Sequence, residues 1–152
     1  MSATDLYQQV VLEHNRNPRN FRALTHATHR AEGVNVLCGD QLELYLQVCE
    51  ERIHAAGFTG QMSAITTAAA SMMTELVTGL LVREALTLKE AALELLLAPQ
   101  AQPSAELGAF NALFAVRAYP SRIKTATLPW ATLAAALRGQ AQTTTEGSER
   151  GI

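Results

Sequence analysis

A cysteine and an aspartate, Cys38 and Asp40, flank Gly39 just before an alternating apolar segment. A thiolate and a carboxylate are both ligands that proteins use for zinc and iron. The chain has one other cysteine, Cys49, which lies inside the alternating segment itself. Because a tetrahedral metal site needs about four donors, Cys38 and Asp40 supply about half of one.

The elements that must position this pair are predicted to be a small sheet. Apolar residues alternate with others over 42–48, a period that predicts a half-buried strand. A polar turn over 50–52 and an apolar segment over 53–58 predict the second strand of a hairpin. Before them, a helix is expected to begin with Thr4 or Asp5 as N-cap and to end before Pro18, and 20–33 is expected to be a loop.

Helical patterns dominate after Gly60. Ser63 is the expected N-cap of the first helix, and Thr87 with Glu90 is the expected capping box of a second helix that ends at Pro99. Further helices are predicted over 105–119 and 128–137, with Thr125 in the turn before the last one. This order predicts an α+β fold, a small antiparallel β-sheet packed with several α-helices, in one domain over 1–139. A polar, disordered tail is expected over 140–152.

Composition excludes several partners. The 152 residues carry a formal net charge of −2 at pH 7, so there is no basic surface to neutralise nucleic-acid phosphates. No apolar run approaches the length of a bilayer span, and the first five residues lack the order of a signal peptide. Two cysteines in unlike settings do not form a disulfide framework. These features predict a cytoplasmic protein that binds neither membrane nor nucleic acid.

Several separated motifs share a characteristic order along the chain. In that order they are Leu6-Tyr7, His14, Asn17-Pro18-Arg19-Asn20, Cys38-Gly39-Asp40, Gly60, Ala64-Ile65, Ala70-Ser71-Met72-Met73, Pro120, Arg122-Ile123-Lys124, Ala126-Thr127-Leu128 and Trp130. The order resembles the IscU and NifU-like iron–sulfur cluster assembly scaffold family, most closely its SufU branch, from about Leu6 to Leu137. The resemblance implies an IscU/SufE-like α+β fold with a surface site for zinc or an iron–sulfur cluster. It also implies a cysteine desulfurase and other assembly proteins as partners, and it allows a homo-oligomer.

The family's site uses three cysteines and an aspartate, and the resemblance places only two of these four here. Cys38 and Asp40 match the first cysteine and the aspartate, whereas Ser63 and Thr125 occupy the positions of the missing cysteines. A Ser or Thr hydroxyl stays protonated at neutral pH unless a metal is already bound, so it is a poor replacement for a thiolate. The expected metal site is therefore incomplete, with zinc or cluster binding weak or absent.

Three ways remain to make use of an incomplete site. A histidine could substitute as a ligand, although His14, His26, His29 and His54 are better explained as solvated or hydrogen-bonded residues. Two protomers could share one metal through Cys38 and Asp40 of each. Alternatively Cys38 could work alone, because accepting sulfur from a persulfide needs one accessible thiolate and no metal.

The third possibility is the favoured interpretation. Cys38 is the predicted sulfur acceptor, Gly39 gives its loop backbone freedom, and Arg122 and Lys124 are expected to favour its thiolate. Asp40 is then a residual metal ligand or a modulator of the thiol. The chain is expected not to be an enzyme in its own right. The competing hypothesis is a degenerate paralogue that only binds a desulfurase or another assembly partner.

Overall fold

The computed structural model describes residues 2–145, which form five α-helical or 3-10 helical segments of more than one turn and four strands in the described range. In chain order the α-helices and strands are α1 (Ala3–Arg16), β1 (His29–Asn35), β2 (Asp40–Cys49), β3 (Arg52–Gln61), α2 (Ala64–Val77), α3 (Val82–Leu97), α4 (Pro120–Leu137) and β4 (Gln142–Thr144). Short 3-10 segments cover Val36–Cys38 and Ala105–Ala118. The predicted α+β class is confirmed.

The four strands form one mixed sheet in the order β3-β2-β1-β4. The pairs β1–β2 and β2–β3 are antiparallel, whereas β4 runs parallel to β1. The predicted hairpin is confirmed, and its turn residues Glu50 and Glu51 have φ of 51° and 63°. Positive φ at both central residues is typical of a type I′ turn, whose twist matches that of the flanking strands.

The loop predicted over 20–33 was wrong in its last part, because His29–Asn35 is strand β1. Its buried positions are Ala31, Gly33 and Asn35, none of which is a large apolar residue, so the alternation is invisible in the sequence. Gly33 is needed there because a β-carbon would collide with the Thr132 hydroxyl of α4. The glycine therefore lets α4 pack closely on the sheet.

The tail predicted from residue 140 was also wrong in its first part. Gln142–Thr144 pairs with β1 as an edge strand, and Thr145 is 1% exposed. This strand is short and wholly polar, so it has no apolar pattern, and the pairing with β1 defines it. Residues 146–152 lie outside the described residues, so the remainder of the tail stays a prediction.

The starts of two helices differ from expectation. The N-cap of α1 is Ser2, whose hydroxyl accepts the Asp5 N–H at 3.1 Å, although the helix does end before Asn17-Pro18 as predicted. Helix α3 begins at Val82, where the Glu84 carboxylate accepts the Leu81 N–H at 2.8 Å. The capping box predicted at Thr87 and Glu90 was therefore wrong, since both lie inside α3.

The structure also differs from the last two predicted helices. The segment predicted as a helix over 105–119 is 3-10 in character and breaks at Gly108, which has φ of 50°. Helix α4 begins at Pro120, so Thr125 is inside the helix and not in a turn before it. Pro129 consequently lies in the helix interior, where it cannot donate the usual hydrogen bond to the carbonyl four residues earlier.

The core lies between the leucine face of β2 and the helices. Leu42, Leu44 and Leu46 are fully buried, and they belong to one apolar cluster with residues of α2, α3 and α4. Trp130 of α4 packs edge-on against Phe110, with ring centroids 5.5 Å apart. This packing brings the starts of α2 and α4 to the end of the sheet where β1 passes into β2.

Candidate functional site

Cys38 lies on the short 3-10 turn that joins β1 to β2. The Asn35 side chain caps this turn by accepting the Cys38 N–H at 3.2 Å, and Gly39 ends it in the left-handed region with φ of 74°. The Cys38 side chain is partly exposed, and its Sγ lies 3.8 Å from the Ser121 carbonyl in the first turn of α4. The thiol is thus presented at the surface from a turn with defined backbone geometry.

Asp40 is almost completely buried, with 2% exposed surface. One carboxylate oxygen accepts the Ser63 N–H at 2.7 Å, and the other accepts the Thr66 hydroxyl at 2.8 Å. Because the first N–H groups of a helix have no partner within it, a carboxylate at this position stabilises the start of α2. Asp40 therefore ties the first residue of β2 to the beginning of α2.

Ser63 and Thr125 come together with Asp40 through one residue that sequence reasoning missed, Thr66. The Ser63 hydroxyl lies 3.1 Å from the Thr66 hydroxyl, which also approaches the Thr125 carbonyl at 3.3 Å. That carbonyl is available because Pro129 has no N–H to donate to it. A threonine in the first turn of an apolar helix gives no sequence signal for this role.

The two hydroxyls expected at the missing cysteine positions have different surroundings. Ser63 is the N-cap of α2, as predicted, although its side chain makes no capping hydrogen bond. Thr125 is 5% exposed, and its hydroxyl donates to the Arg122 carbonyl at 2.9 Å within α4. The Arg122 guanidinium itself stacks on the Tyr119 ring, 4.4 Å from its centroid.

The second cysteine lies far from this site. Cys49 is exposed at the last residue of β2, whereas Asp40 is the first. At about 3.3 Å per residue the two ends of this strand are about 30 Å apart. Cys49 therefore cannot contribute to a site at Cys38 within the same chain.

The histidines are likewise engaged elsewhere or exposed. His14 is buried, and its Nδ1 lies 2.7 Å from the Ser71 hydroxyl. That hydroxyl also accepts the Arg19 N–H at 2.8 Å. Burial, followed by the Arg19 charge, lowers the pKa of His14 below its usual 6.5. His29 contacts the Thr28 hydroxyl at 2.8 Å.

The described donors do not fit a tetrahedral zinc site or a four-ligand cluster. Between residues 2 and 145, no three His, Cys, Asp or Glu side chains are grouped so that they could hold one metal ion. Both Asp40 oxygens already accept hydrogen bonds, and Thr125 donates to a carbonyl of its own helix. One thiol and one carboxylate remain where the chemistry requires four strong donors.

Comparison with known proteins places the chain in a family. The profile of the NifU-like N terminal domain matches residues 6–126. The chain belongs to this family. The chain is similar to the zinc-dependent sulfurtransferase SufU of Bacillus subtilis, with 34% identity over 128 residues, 84% of this chain and 86% of that protein. The iron–sulfur cluster assembly scaffold protein IscU of Streptococcus pyogenes is 33% identical over 90% of this chain and 85% of its own length.

Solved structures agree with this assignment. The SufU-type protein FiSufU of Fervidobacterium islandicum AW-1 superposes with a TM-score of 0.81 at 28% identity, covering 90% of this chain and 99% of that one. A NifU-like N-terminal protein of Brucella abortus has the same TM-score of 0.81 at 21% identity, covering 91% and 96% of the two chains, and supports the fold alone.

The resemblance drawn from the motifs is thereby confirmed, as is the IscU-like fold. In the described part of the chain no helix is both long and apolar enough to cross a membrane. One relative is named a sulfurtransferase, so the expectation that this chain is not an enzyme stays a prediction. The roles expected of Cys38, Asp40, Ser63 and Thr125 also remain predictions at this point.

Proposed function

We propose that this protein acts in iron–sulfur cluster assembly as a sulfur acceptor, with Cys38 as the residue that receives the sulfur. The observation that carries the proposal is a partly exposed thiol on a capped turn, beside a donor set too small for a metal. The names of the relatives, a sulfurtransferase and cluster-assembly scaffolds, support the same process. A cysteine desulfurase is the proposed partner, and the cytoplasm, where thiols stay reduced, is the proposed compartment.

The proposed transfer needs no metal and no added oxidant. The Cys38 thiolate attacks the outer sulfur of a persulfide on the desulfurase, and a new sulfur–sulfur bond forms as the old one breaks. The desulfurase cysteine leaves as a thiolate, which takes up the proton that Cys38 released. Cys38 ends as the persulfide and the desulfurase returns to its resting thiol, so the transfer is a thiol–disulfide type exchange.

Asp40 has a structural part in this proposal. Its carboxylate ties β2 to the start of α2 by two hydrogen bonds, which keeps the turn bearing Cys38 attached to a rigid element. Both oxygens already accept hydrogen bonds within the fold, and only 2% of the residue is exposed to an incoming metal ion. We therefore propose that zinc or iron binds weakly in this chain, through Cys38 and Asp40 only.

The proposal is tested by sulfur transfer to Cys38→Ser and Cys49→Ser variants. Each protein is incubated with a cysteine desulfurase and cysteine, and the added sulfur is located by mass spectrometry of intact protein and peptides. We expect Cys38→Ser to abolish the added sulfur and Cys49→Ser, the matched control, to leave it unchanged. Equal loading of the Cys38→Ser variant and the parent would contradict the assignment of Cys38.

A binding-only role is the second candidate, and the exposed apolar tip of the same turn favours it. Val36 and Leu37 are 69% and 82% exposed, so two adjacent apolar side chains face solvent next to Cys38. If the parent binds the desulfurase in a pull-down but never gains sulfur, this alternative replaces the acceptor role. Sulfur on Cys38 would exclude it.

A further inference from the structure

A chain of three hydrogen bonds, one buried and two partly buried, connects the residue that follows β4 to the turn that carries Cys38. The Asn35 amide accepts the Cys38 N–H at 3.2 Å and donates from its nitrogen to the Thr145 hydroxyl, also at 3.2 Å. The Thr145 hydroxyl in turn donates to the Lys124 carbonyl in the first part of α4 at 3.2 Å. Every donor in this series meets a suitable acceptor, so the series has one consistent direction.

Burial makes these hydrogen bonds consequential. Asn35 and Thr145 are each 1% exposed, so water cannot readily replace a partner that is removed. A buried polar group left without a partner costs more than the bond itself contributes. The Asn35 amide, with one acceptor and two donors, can serve both the Cys38 N–H and Thr145 at once.

The strand that brings Thr145 to this position is itself attached to the sheet. The Glu32 N–H donates to the Ala141 carbonyl at 2.9 Å, and the Glu32 carboxylate accepts from Gln142 at 2.6 Å and from Gln41 at 2.9 Å. These contacts hold β4 against β1, and the Glu32 carboxylate connects both strands to β2 through Gln41. Thr145 therefore reaches the Cys38 turn from a supported strand.

The contacts form a closed series that includes Cys38. Lys124, which Thr145 contacts, lies one helical turn beyond Ser121, whose carbonyl is 3.8 Å from the Cys38 Sγ. The series runs from Cys38 through Asn35 and Thr145 to α4 and returns through Ser121. Cys38 is thus connected to the start of α4 by two routes, one through Asn35 and Thr145 and one through Ser121.

We propose that Asn35 and Thr145 are positioning residues for Cys38, and that β4 is a strap that holds the thiol against the start of α4 in one orientation. This inference rests on the proposed function, because an orientation matters only if Cys38 receives sulfur from a partner. Neither residue was singled out by its type or spacing. Their role depends on residues 35 and 145 meeting in the folded chain.

The test compares the alkylation rates of Cys38 and Cys49 within the same molecule. Thr145→Val removes the hydroxyl but keeps the shape, and Thr145→Ser keeps the hydroxyl. Thr143→Val makes the same change two residues earlier, within β4. Iodoacetamide labelling is followed by peptide mass spectrometry, and Cys49 reports any general change in reactivity. Thermal midpoints of the variants show whether each is folded.

We expect Thr145→Val, which removes both hydrogen bonds of the Thr145 hydroxyl, to raise the Cys38 to Cys49 rate ratio at least about three- to fivefold, since even one hydrogen bond is worth about that factor in an opening equilibrium. Thr145→Ser and Thr143→Val should keep the parental ratio. An unchanged ratio in Thr145→Val would overturn the inference, as would an equal rise in Thr143→Val.

A double-mutant cycle provides the second test. Asn35→Ala should raise the ratio as well, and adding Thr145→Val to it should have no further effect, because both changes break the same series of bonds. If the increases in the ratio caused by Asn35→Ala and Thr145→Val multiply in the double variant, the inference is overturned. Should Thr145→Val be poorly folded, Asn35→Ala alone still tests the series, and an unchanged ratio in that variant would overturn the inference.

Sulfur transfer separates the two proposals. In Thr145→Val the rate of sulfur transfer from a desulfurase should fall while alkylation rises, a split that general loosening of the fold would not produce. If the parent accepts no sulfur but the alkylation ratio responds as expected, the proposed function fails and the positioning of the thiol stands. If the parent accepts sulfur and the ratio does not respond, the positioning inference fails.

Discussion

Replacing Asp40 with alanine tests whether this carboxylate is a structural element of the fold. The change removes the acceptor of two hydrogen bonds, from the Ser63 N–H at 2.7 Å and the Thr66 hydroxyl at 2.8 Å. The Thr66 hydroxyl can turn to the Thr125 carbonyl, now 3.3 Å away, whereas the Ser63 N–H is left without its acceptor. The two losses are therefore unequal.

The magnitude follows from these contacts. A hydrogen bond to a charged group contributes about 1.5–3 kcal/mol, so losing the Ser63 bond fully and the Thr66 bond in part should cost about 3 kcal/mol. Asp40→Asn keeps an oxygen for the Ser63 N–H, and its NH₂ can donate to Thr66. We expect it to cost about 1 kcal/mol, close to that of a neutral hydrogen bond.

The measurement is the free energy of unfolding from urea titrations followed by far-UV circular dichroism, with the slope compared between variants. Asp5→Ala is the matched control, because Asp5 is an acidic residue in the first turn of α1 but is exposed. Its loss should cost about 0.5 kcal/mol, the low end for a helix cap.

An Asp40 that served only to bind a metal would change stability in a different way. A buried carboxylate retained only for an ion would be unfavourable without that ion, and its removal would leave the metal-free protein equally stable or more stable. An Asp40→Ala variant as stable as the metal-free parent would therefore refute the structural role.

Two further predictions concern metal binding and pH. The double variant Ser63→Cys, Thr125→Cys should bind zinc clearly by elemental analysis because it adds two thiolates, whereas near-stoichiometric metal in the parent would contradict the incomplete-site proposal. His14 has a lowered pKa through burial, so the fold favours its neutral form; stability should be full above pH 6.5 and fall as the pH drops below 6.5. In urea titrations at several pH values, His14→Gln should lose less unfolding free energy below pH 6.5 than the parent does. The variant His54→Gln, at an exposed residue, should lose as much as the parent. An equal pH dependence of the unfolding free energy in both variants would contradict this prediction.

Sequence alone determined the features that depend on neighbouring residues. The alternation over 42–48 predicted β2, and the polar turn at Glu50-Glu51 predicted its hairpin partner, because strand periodicity is a local property. The motif order indicated the family, since it consists of short local patterns. Cys38 and Asp40 were likewise recognisable by type and spacing, because the chain has two cysteines and one of them lies two residues from an aspartate.

Only the tertiary structure decided how those residues are used. Strand β1 escaped prediction because its buried positions are small or polar, and β4 escaped it because it is short, wholly polar and pairs with a strand far away in the sequence. Thr66 joins Asp40 to Thr125 because Pro129 inside α4 leaves a carbonyl available, a consequence of a helix longer than predicted. Hydrogen bonds between residues far apart along the chain depend on packing, which no local pattern encodes, so the surroundings of Cys38 appear only when the chain is folded.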